Sequence, residues 1–435
     1  MALNLDQTLA WTKSLAARTP DAAAELAMLS DLQGNILKGH GRRYTINFFL
    51  TFDKSQSSAA RDFVSELGAE VTTALDQLTG AQVFKATGKP AAPFTTLLLT
   101  SDGYRALDME AVMPQDPAFA VGMKARPLND PPQAQWDAGL AAEIHALLIV
   151  GASTPEEQST LRTELEQRFI ASGSAVQILA VELGKSICND DKNGIEHFGY
   201  VDGRSQPLAL QEDVDTEARN GGIDQWNPAI PLRQLLVKCP GGQLDVSCGS
   251  YFVFRKLEQN VQGFKRREID LAETLPGASE RAGASVVGRF ENGMPVSASA
   301  TEVPVTRPGP AGVPNNFNFS DDPNGLKCPF AGHIRKTNPR TDTDDSKDHL
   351  MARRAIPYGN RIDNPNDGNI ATKPTGGVGL LFMAYQSNLE NQFEFTQHLW
   401  ANNKDFFIRT PALILSSGSR QARELNAIRR YTESR

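Results

Sequence analysis

Short apolar runs alternate with longer amphipathic stretches along this chain, and that alternation predicts its elements. The opening stretch reads as helix to about residue 32, then meets Gly34, Gly39 and Gly41. Tyr44-Thr-Ile-Asn-Phe-Phe-Leu-Thr-Phe52 follows, and its aromatic and β-branched residues suit a pleated strand. A helical period over Ser57 to Leu78 precedes apolar runs at Phe94 to Leu99 and Ala146 to Val150. A helix over Pro155 to Ile170 and a strand over Val176 to Leu183 complete the first half. Strands alternating with helices, without long parallel-sheet runs, predict an α+β layer of helices over one sheet face, in a βαββαβ, ferredoxin-like order.

The stretch from Gln211 to Pro231 turns acidic and then Gly-rich, which predicts a junction between domains. Beyond it, Gly249 to Arg255 and Gly377 to Tyr385 read as strands, with helices over Val261 to Leu275 and Glu390 to Trp400. The second half therefore looks like a second copy of the same architecture, although no sequence repeat proves it. Between Val303 and Asn324 a polar loop rich in proline and glycine excludes regular structure, and so long a loop in a compact domain is often functional.

Length sharpens this into two domains, 1–215 and 216–435, because 435 residues exceed one ordinary core. At 40% hydrophobic and 22% charged, the chain has the composition of a globular protein. No window approaches the roughly 18 apolar residues of a membrane span, and the first twenty residues lack the pattern of a secretory signal. A cytoplasmic protein with no membrane partner is the expectation. A net charge of −7 without a concentrated basic face argues against nucleic acid. The four cysteines, Cys188, Cys239, Cys248 and Cys328, form no CxxC pair, so reduced thiols are expected rather than a zinc cage or disulfides.

Chemistry is sought where rigid turns hold polar residues. In His197-Phe-Gly-Tyr-Val-Asp-Gly-Arg-Ser-Gln-Pro207, Asp202 stands beside Gly203 just after a strand region, where a turn can aim a carboxylate into a cavity. An Asp-Gly pair alone is more often a simple turn. His333 lies in Cys328-Pro-Phe-Ala-Gly-His-Ile-Arg-Lys-Thr-Asn-Pro-Arg340, and alone it would be a packed structural histidine. Arg353 and Arg354 would ordinarily face solvent, but they sit between Leu350-Met351 and Pro357, so at least one can turn inward and demand an anionic partner. One histidine, one carboxylate and one arginine are what peroxide activation at a haem iron requires.

Together these segments resemble the dye-decolourising peroxidases. Gly199-Tyr-Val-Asp-Gly203 looks like their GxxDG signature, the His333 segment like their proximal motif, and Arg353 with Tyr358-Gly359 like their distal-arginine segment. Asp31-Leu-Gln-Gly-Asn-Ile-Leu-Lys-Gly39 and Gly379-Leu-Leu-Phe-Met-Ala-Tyr-Gln386 are similar to segments of the longer bacterial members. The resemblance runs from about residue 31 to about residue 410, and five ordered motifs are far more specific than any one.

That resemblance implies two ferredoxin-like α+β domains with antiparallel sheets, and one haem b per chain held mainly in the C-terminal domain. His333 would be the proximal iron ligand, and Asp202 and Arg353 would face hydrogen peroxide, with Arg354 the rival arginine. Where relatives often carry Asn, Ser or Gly two residues after that arginine, this chain has Ala355, which offers peroxide no side-chain hydrogen bond. Glu390 is the expected acceptor for the free His333 nitrogen, and His197 and Arg335 the expected partners of the haem propionates, each weighed against an ordinary structural role. Because carboxylates titrate near about 3.9, an acid base-catalyst predicts an acidic optimum. Dyes, phenols or similar organic donors would supply electrons through surface Tyr or Trp. A manganese site at acid pairs such as Asp344-Asp345 and a homo-oligomer are left open. The rival reading is a haem-handling protein without peroxidase turnover.

Overall fold

The computed structural model describes residues 3–274, 279–340, 345–365 and 367–403. Strands β1 (Tyr44–Phe52), β2 (Phe94–Leu99), β3 (Ala146–Ala152) and β4 (Val176–Lys185) pair antiparallel in the order β4-β1-β3-β2. This is the ferredoxin-like arrangement expected from the sequence. Helices Ser57–Ala69 and Pro155–Ala171 pack on one face, enclosing Phe48, Leu50, Leu67, Leu148 and Phe169. The single helix expected over Ser57 to Leu78 is broken after Ala69. Val71-Thr72-Thr73 is β-branched, and the Thr73 hydroxyl accepts from Asp76 N at 3.1 Å to start a new helix, Ala74–Thr87.

Two short hairpins follow: β5 (Ile187–Cys188) with β6 (Gly194–Ile195), and β7 (Val237–Lys238) with β8 (Cys248–Gly249). The C-terminal half contributes β9 (Tyr251–Glu258), β10 (Ala352–Arg353), β11 (Ile356–Tyr358) and β12 (Gly379–Gln386). Strand β12 pairs antiparallel with β9, β10 and β11. The two sheets are not separate: β11 meets β4 through Tyr358 opposite Gly184, which makes one eight-stranded sheet. Gly184 is needed at that seam, since a Cβ there would lie 2.3 Å from Thr45 Oγ1 and 2.6 Å from Ile356 Cγ2.

The stretch expected to be a domain junction is instead a packed helix, Gln211–Gly221. Its composition misleads because the acids serve the fold. Glu212 and Asp213 occupy the first helical turn, where negative charge is favourable, and Glu212 accepts from Thr12 N at 2.9 Å. Leu9 and Leu210 bridge beside it, so the chain's first residues join a core with Trp226, Leu350 and Tyr385 from the second half. The division at residue 215 falls inside this helix. The expected helix over Glu390 to Trp400 is present as wide π-helical turns, Glu390–Glu394 and Thr396–Ala401. In the Val303 to Asn324 loop the only regular piece is a 3-10 turn at Pro310–Gly312. The four cysteines are free thiols, and among the described residues no helix is long and apolar enough to cross a membrane.

Candidate active site

Asp202 is delivered by a compact series of turns. Beyond β6, Val201 returns to bridge Ile195, and the Asp202 amide donates to the Gly194 carbonyl at 3.0 Å. Gly199 (φ +103°) and Gly203 (φ +76°) adopt left-handed backbone, which is why glycine brackets the acid. Glu196 holds the turn between them: its two carboxylate oxygens accept from Phe198 N at 2.8 Å and Tyr200 N at 3.0 Å, and Gln259 donates as well. Burial pushes this acid up to about 7 despite those donors. Asp202 itself stays exposed, its Oδ1 accepting only the neighbouring Gly203 N at 2.6 Å.

The two arginines part at the end of strand β10, which includes Arg353 and stops before Arg354. Arg353 N donates to Gln206 Oε1 at 3.0 Å, and its guanidinium makes a single long bond, 3.4 Å, to the Ser205 carbonyl. Burial lowers its pKa from the usual guanidinium value, and the charge of Asp202 opposes that shift, so each stands in the other's field. Arg354 is fully engaged elsewhere, donating to the carbonyls of Asn35 at 2.6 Å, Ile36 at 2.8 Å and Arg353 at 2.9 Å. Asp202, Gln206 and Arg353 share one cavity of about 310 Å³, which is also lined by Asn35 and by Gly39 to Arg42. A larger cleft, about 2050 Å³, runs along β9 and contains none of the candidate residues.

His333 opens a five-residue helix, His333–Thr337, and its side chain is exposed. The glycine before it is dictated by crowding: a Cβ on Gly332 would sit 3.0 Å from Pro329 O and 3.1 Å from Ser285 O. Arg335 pins the helix from beneath. Its guanidinium pairs with Asp322 at 3.0 Å and donates to Cys328 O at 2.8 Å, while Asp322 also accepts from the amides of Leu326, Lys327 and Cys328. Phe319 and Phe330 cover the two faces of that guanidinium, 4.6 and 4.2 Å away. Burial pushes the Cys328 thiol up to about 12, which leaves it a protonated core residue.

The three residues expected to contact the haem or its proximal histidine have other partners in the structure. Arg335 has no accessible surface and is paired with Asp322. His197 is buried, and its Nε2 donates to the Tyr358 carbonyl at 2.8 Å. Burial lowers the pKa of that ring, so it stays neutral and its unpartnered Nδ1 can only accept, which is the wrong polarity for a carboxylate. Glu390 is a surface acid paired with Arg126 at 2.7 Å, an ion pair that gives its carboxylate another task than orienting His333. Asp344 lies outside the described residues.

Two arginines escaped notice in the sequence. Arg289 and Arg340 are buried, and both reach the Ser205 hydroxyl, at 3.1 and 3.4 Å. Their remaining bonds go to the carbonyls of Gly293, Pro314, Asn315 and Phe317 and to the Asn315 amide, and none among the described residues goes to a carboxylate. Burial, reinforced by neighbouring Arg204, brings Arg289 down to about 9. Only position in the Asn338-Pro-Arg340 tail hinted at Arg340, and nothing local marked Arg289. This uncompensated positive charge suits a cofactor with an anionic edge, and the exposed imidazole of His333 suits its metal. The residues present therefore fit haem.

An α+β fold with an exposed acid and an under-bonded arginine on one cavity, and an exposed histidine opening a short helix, suits the class of haem peroxidases. Residues 224–409 match the family model of the Dyp-type peroxidase C-terminal region. The multifunctional dye peroxidase DyP2 of Amycolatopsis sp. is 43% identical over 422 residues, covering 93% of this chain and 86% of that one. Its solved structure superposes with a TM-score of 0.85 at 42% identity, covering 94% and 87% of the two chains. The Anabaena sp. Dyp-type peroxidase superposes with a TM-score of 0.81 at 36% identity, over 89% and 84%. The chain belongs to the dye-decolourising peroxidase family. It is accordingly a haem-dependent oxidoreductase that uses peroxide to oxidise dyes and similar organic donors.

Proposed function

We propose that this peroxidase binds one haem b per chain, mainly against the C-terminal half beyond residue 215, with His333 as the proximal ligand and Asp202 and Arg353 facing hydrogen peroxide. The observation that carries this reading is the shared cavity: Asp202, Arg353 and Arg354 all line it, but the Arg354 guanidinium is tied to the backbone of Asn35 and Ile36 while that of Arg353 makes one long bond. The haem, when bound, would supply the iron at which peroxide is reduced and would store the oxidising equivalents that organic donors then consume by giving up electrons. Asp202 takes the proton from one peroxide oxygen and returns it to the other, which leaves as water. Arg353 offsets the negative charge that builds on the departing oxygen, and its uncommitted donors are free to do so. Ala355 adds nothing by hydrogen bonding, so the burden falls on those two side chains.

Arg289 and Arg340 are assigned, ahead of Arg335 and His197, to balance the propionates, because no carboxylate hydrogen-bonds their guanidinium groups. A cytoplasmic site of action is supported by the four free thiols. The experiment is stopped-flow mixing of the haem-loaded protein with hydrogen peroxide. Asp202→Asn is expected to slow the reaction about 10²–10⁴-fold with haem content intact. An unchanged rate would remove Asp202 from the mechanism and favour a haem-handling protein.

A further inference from the structure

The Asp31 to Arg42 segment is distinctive in sequence, yet it supplies none of the three reacting groups. Its position gives it a role. Asn35, Gly39, His40, Gly41 and Arg42 form part of the wall of the cavity that Asp202 and Arg353 also line. The wall is fixed on two sides. From the strand side Arg354 binds the carbonyls of Asn35 and Ile36. From the helix side Gln77, which does not itself line the cavity, accepts from Asn35 N at 2.5 Å and donates to Lys38 O at 2.8 Å and Gly39 O at 3.0 Å.

Everything nearby tightens the same clamp. Asn35 is held at φ +71°, a strained position for a side-chain-bearing residue, and its Oδ1 accepts from His40 N at 3.1 Å. Gly34 admits no side chain, because a Cβ would fall 2.7 Å from both Gln77 Oε1 and the Phe94 ring. His40 stacks on Phe94 with ring centroids 5.0 Å apart, and its Nδ1 accepts from Arg42 N at 2.9 Å. Ile36 and Leu37 are buried in the core, so the Asn35 end of the wall is anchored independently of Gln77. Gly39 and Gly41, between the anchors, are the portion left to move.

We infer that the Asn35 to Arg42 wall, positioned by Gln77, determines which peroxides reach Asp202 and Arg353: it admits hydrogen peroxide and rejects bulky organic hydroperoxides. The inference rests on the assignment of Asp202 and Arg353 to the peroxide side. Removing the Gln77 side chain leaves Asn35 N, Lys38 O and Gly39 O without partners, and the glycines yield outward. A methyl on Gly39 acts in the opposite sense. Its φ is ordinary, and the Cβ would meet only the Arg354 side chain at 3.7 Å, so Gly39→Ala thickens the wall without a clash.

The test compares haem-loaded wild type, Gln77→Ala and Gly39→Ala for their rates with hydrogen peroxide and with cumene hydroperoxide. Association of cyanide and of imidazole, followed by the Soret shift, reports access without turnover. Gln77→Ala is expected to raise the cumene-to-hydrogen-peroxide rate ratio and the imidazole-to-cyanide ratio about tenfold, the discrimination ordinarily available from a small change in pocket size. Gly39→Ala lowers both, and it keeps the test decisive should Gln77→Ala fail to fold. Ratios unchanged in whichever variants fold would overturn the inference. Asp202→Asn run alongside separates the two failures: if it leaves the hydrogen peroxide rate intact, the assignment beneath the inference has failed instead.

Discussion

The His333 side and the Asp202 side of the site are built on opposite principles. Beneath His333, every strong group is satisfied: Arg335 and Asp322 are buried against each other, three amides converge on Asp322, and two phenylalanines cover the guanidinium. Around Asp202, the groups proposed to react are under-bonded: the carboxylate accepts one adjacent amide, and the Arg353 guanidinium makes one long contact. A ligand that must hold a metal in place needs a rigid platform. Groups that must handle a proton and a changing charge need open lone pairs and free donors, with rigidity supplied from behind by Glu196, Gln206 and Arg354.

The comparison breaks first at Asp202. The Asn substitution keeps the turn's hydrogen-bond acceptor but removes the base, so the loss should appear in the peroxide reaction and not in the melting temperature. On the His333 side the signs reverse. Asp322→Ala strands the Arg335 charge in the interior and should cost about 3–5 kcal/mol of stability, read by chemical denaturation, before any effect on rate is considered. A variant with unaltered stability would mean that the ion pair does not secure the His333 helix.

Glu196 sharpens the contrast through pH. Its folded pKa is raised to about 7 from an ordinary 4.5. The unfolded chain therefore releases this proton first, and the folded state loses stability as pH rises through that window, by on the order of 3 kcal/mol. Glu196→Gln forfeits one amide contact but cannot ionise, so the melting temperature of the variant should fall less than that of wild type between pH 5 and pH 8. Parallel melting profiles would show that Glu196 is ionised throughout. Smallest is Glu390→Gln, which breaks a half-exposed pair with Arg126 and should change stability by less than about 1 kcal/mol and leave haem spectra unaltered.

What could be read from sequence follows the range of the interactions involved. Strands β1 and β2 and the Pro155–Ala171 helix emerge from local composition nearly residue for residue, since periodicity is a local property. The Gln211–Gly221 helix does not, because its partner Thr12 is two hundred residues away. Of the residues proposed to react, Asp202 stands in a turn between glycines and His333 follows a crowded Gly332, while Arg353 lies on strand β10. Their supports are distributed. Arg335 looked available because its partner, Asp322, lay in a loop with no visible relation to it, and His197 looked basic because nothing local revealed the Tyr358 carbonyl. Arg289 carried no signal at all, since a single arginine shows its burial only in three dimensions.

The central claim is that His333 holds the haem while Asp202 works on peroxide from the other side. The visible spectrum of the haem-loaded protein, recorded before and after one equivalent of hydrogen peroxide for wild type, His333→Ala and Asp202→Asn, tests it most directly. The account predicts a ferric Soret band in wild type that changes promptly on adding peroxide. That band should be lost or displaced in His333→Ala, and in Asp202→Asn it should remain unshifted but respond slowly. A Soret band in His333→Ala identical to wild type, or an Asp202→Asn variant that reacts at the wild-type rate, would contradict it.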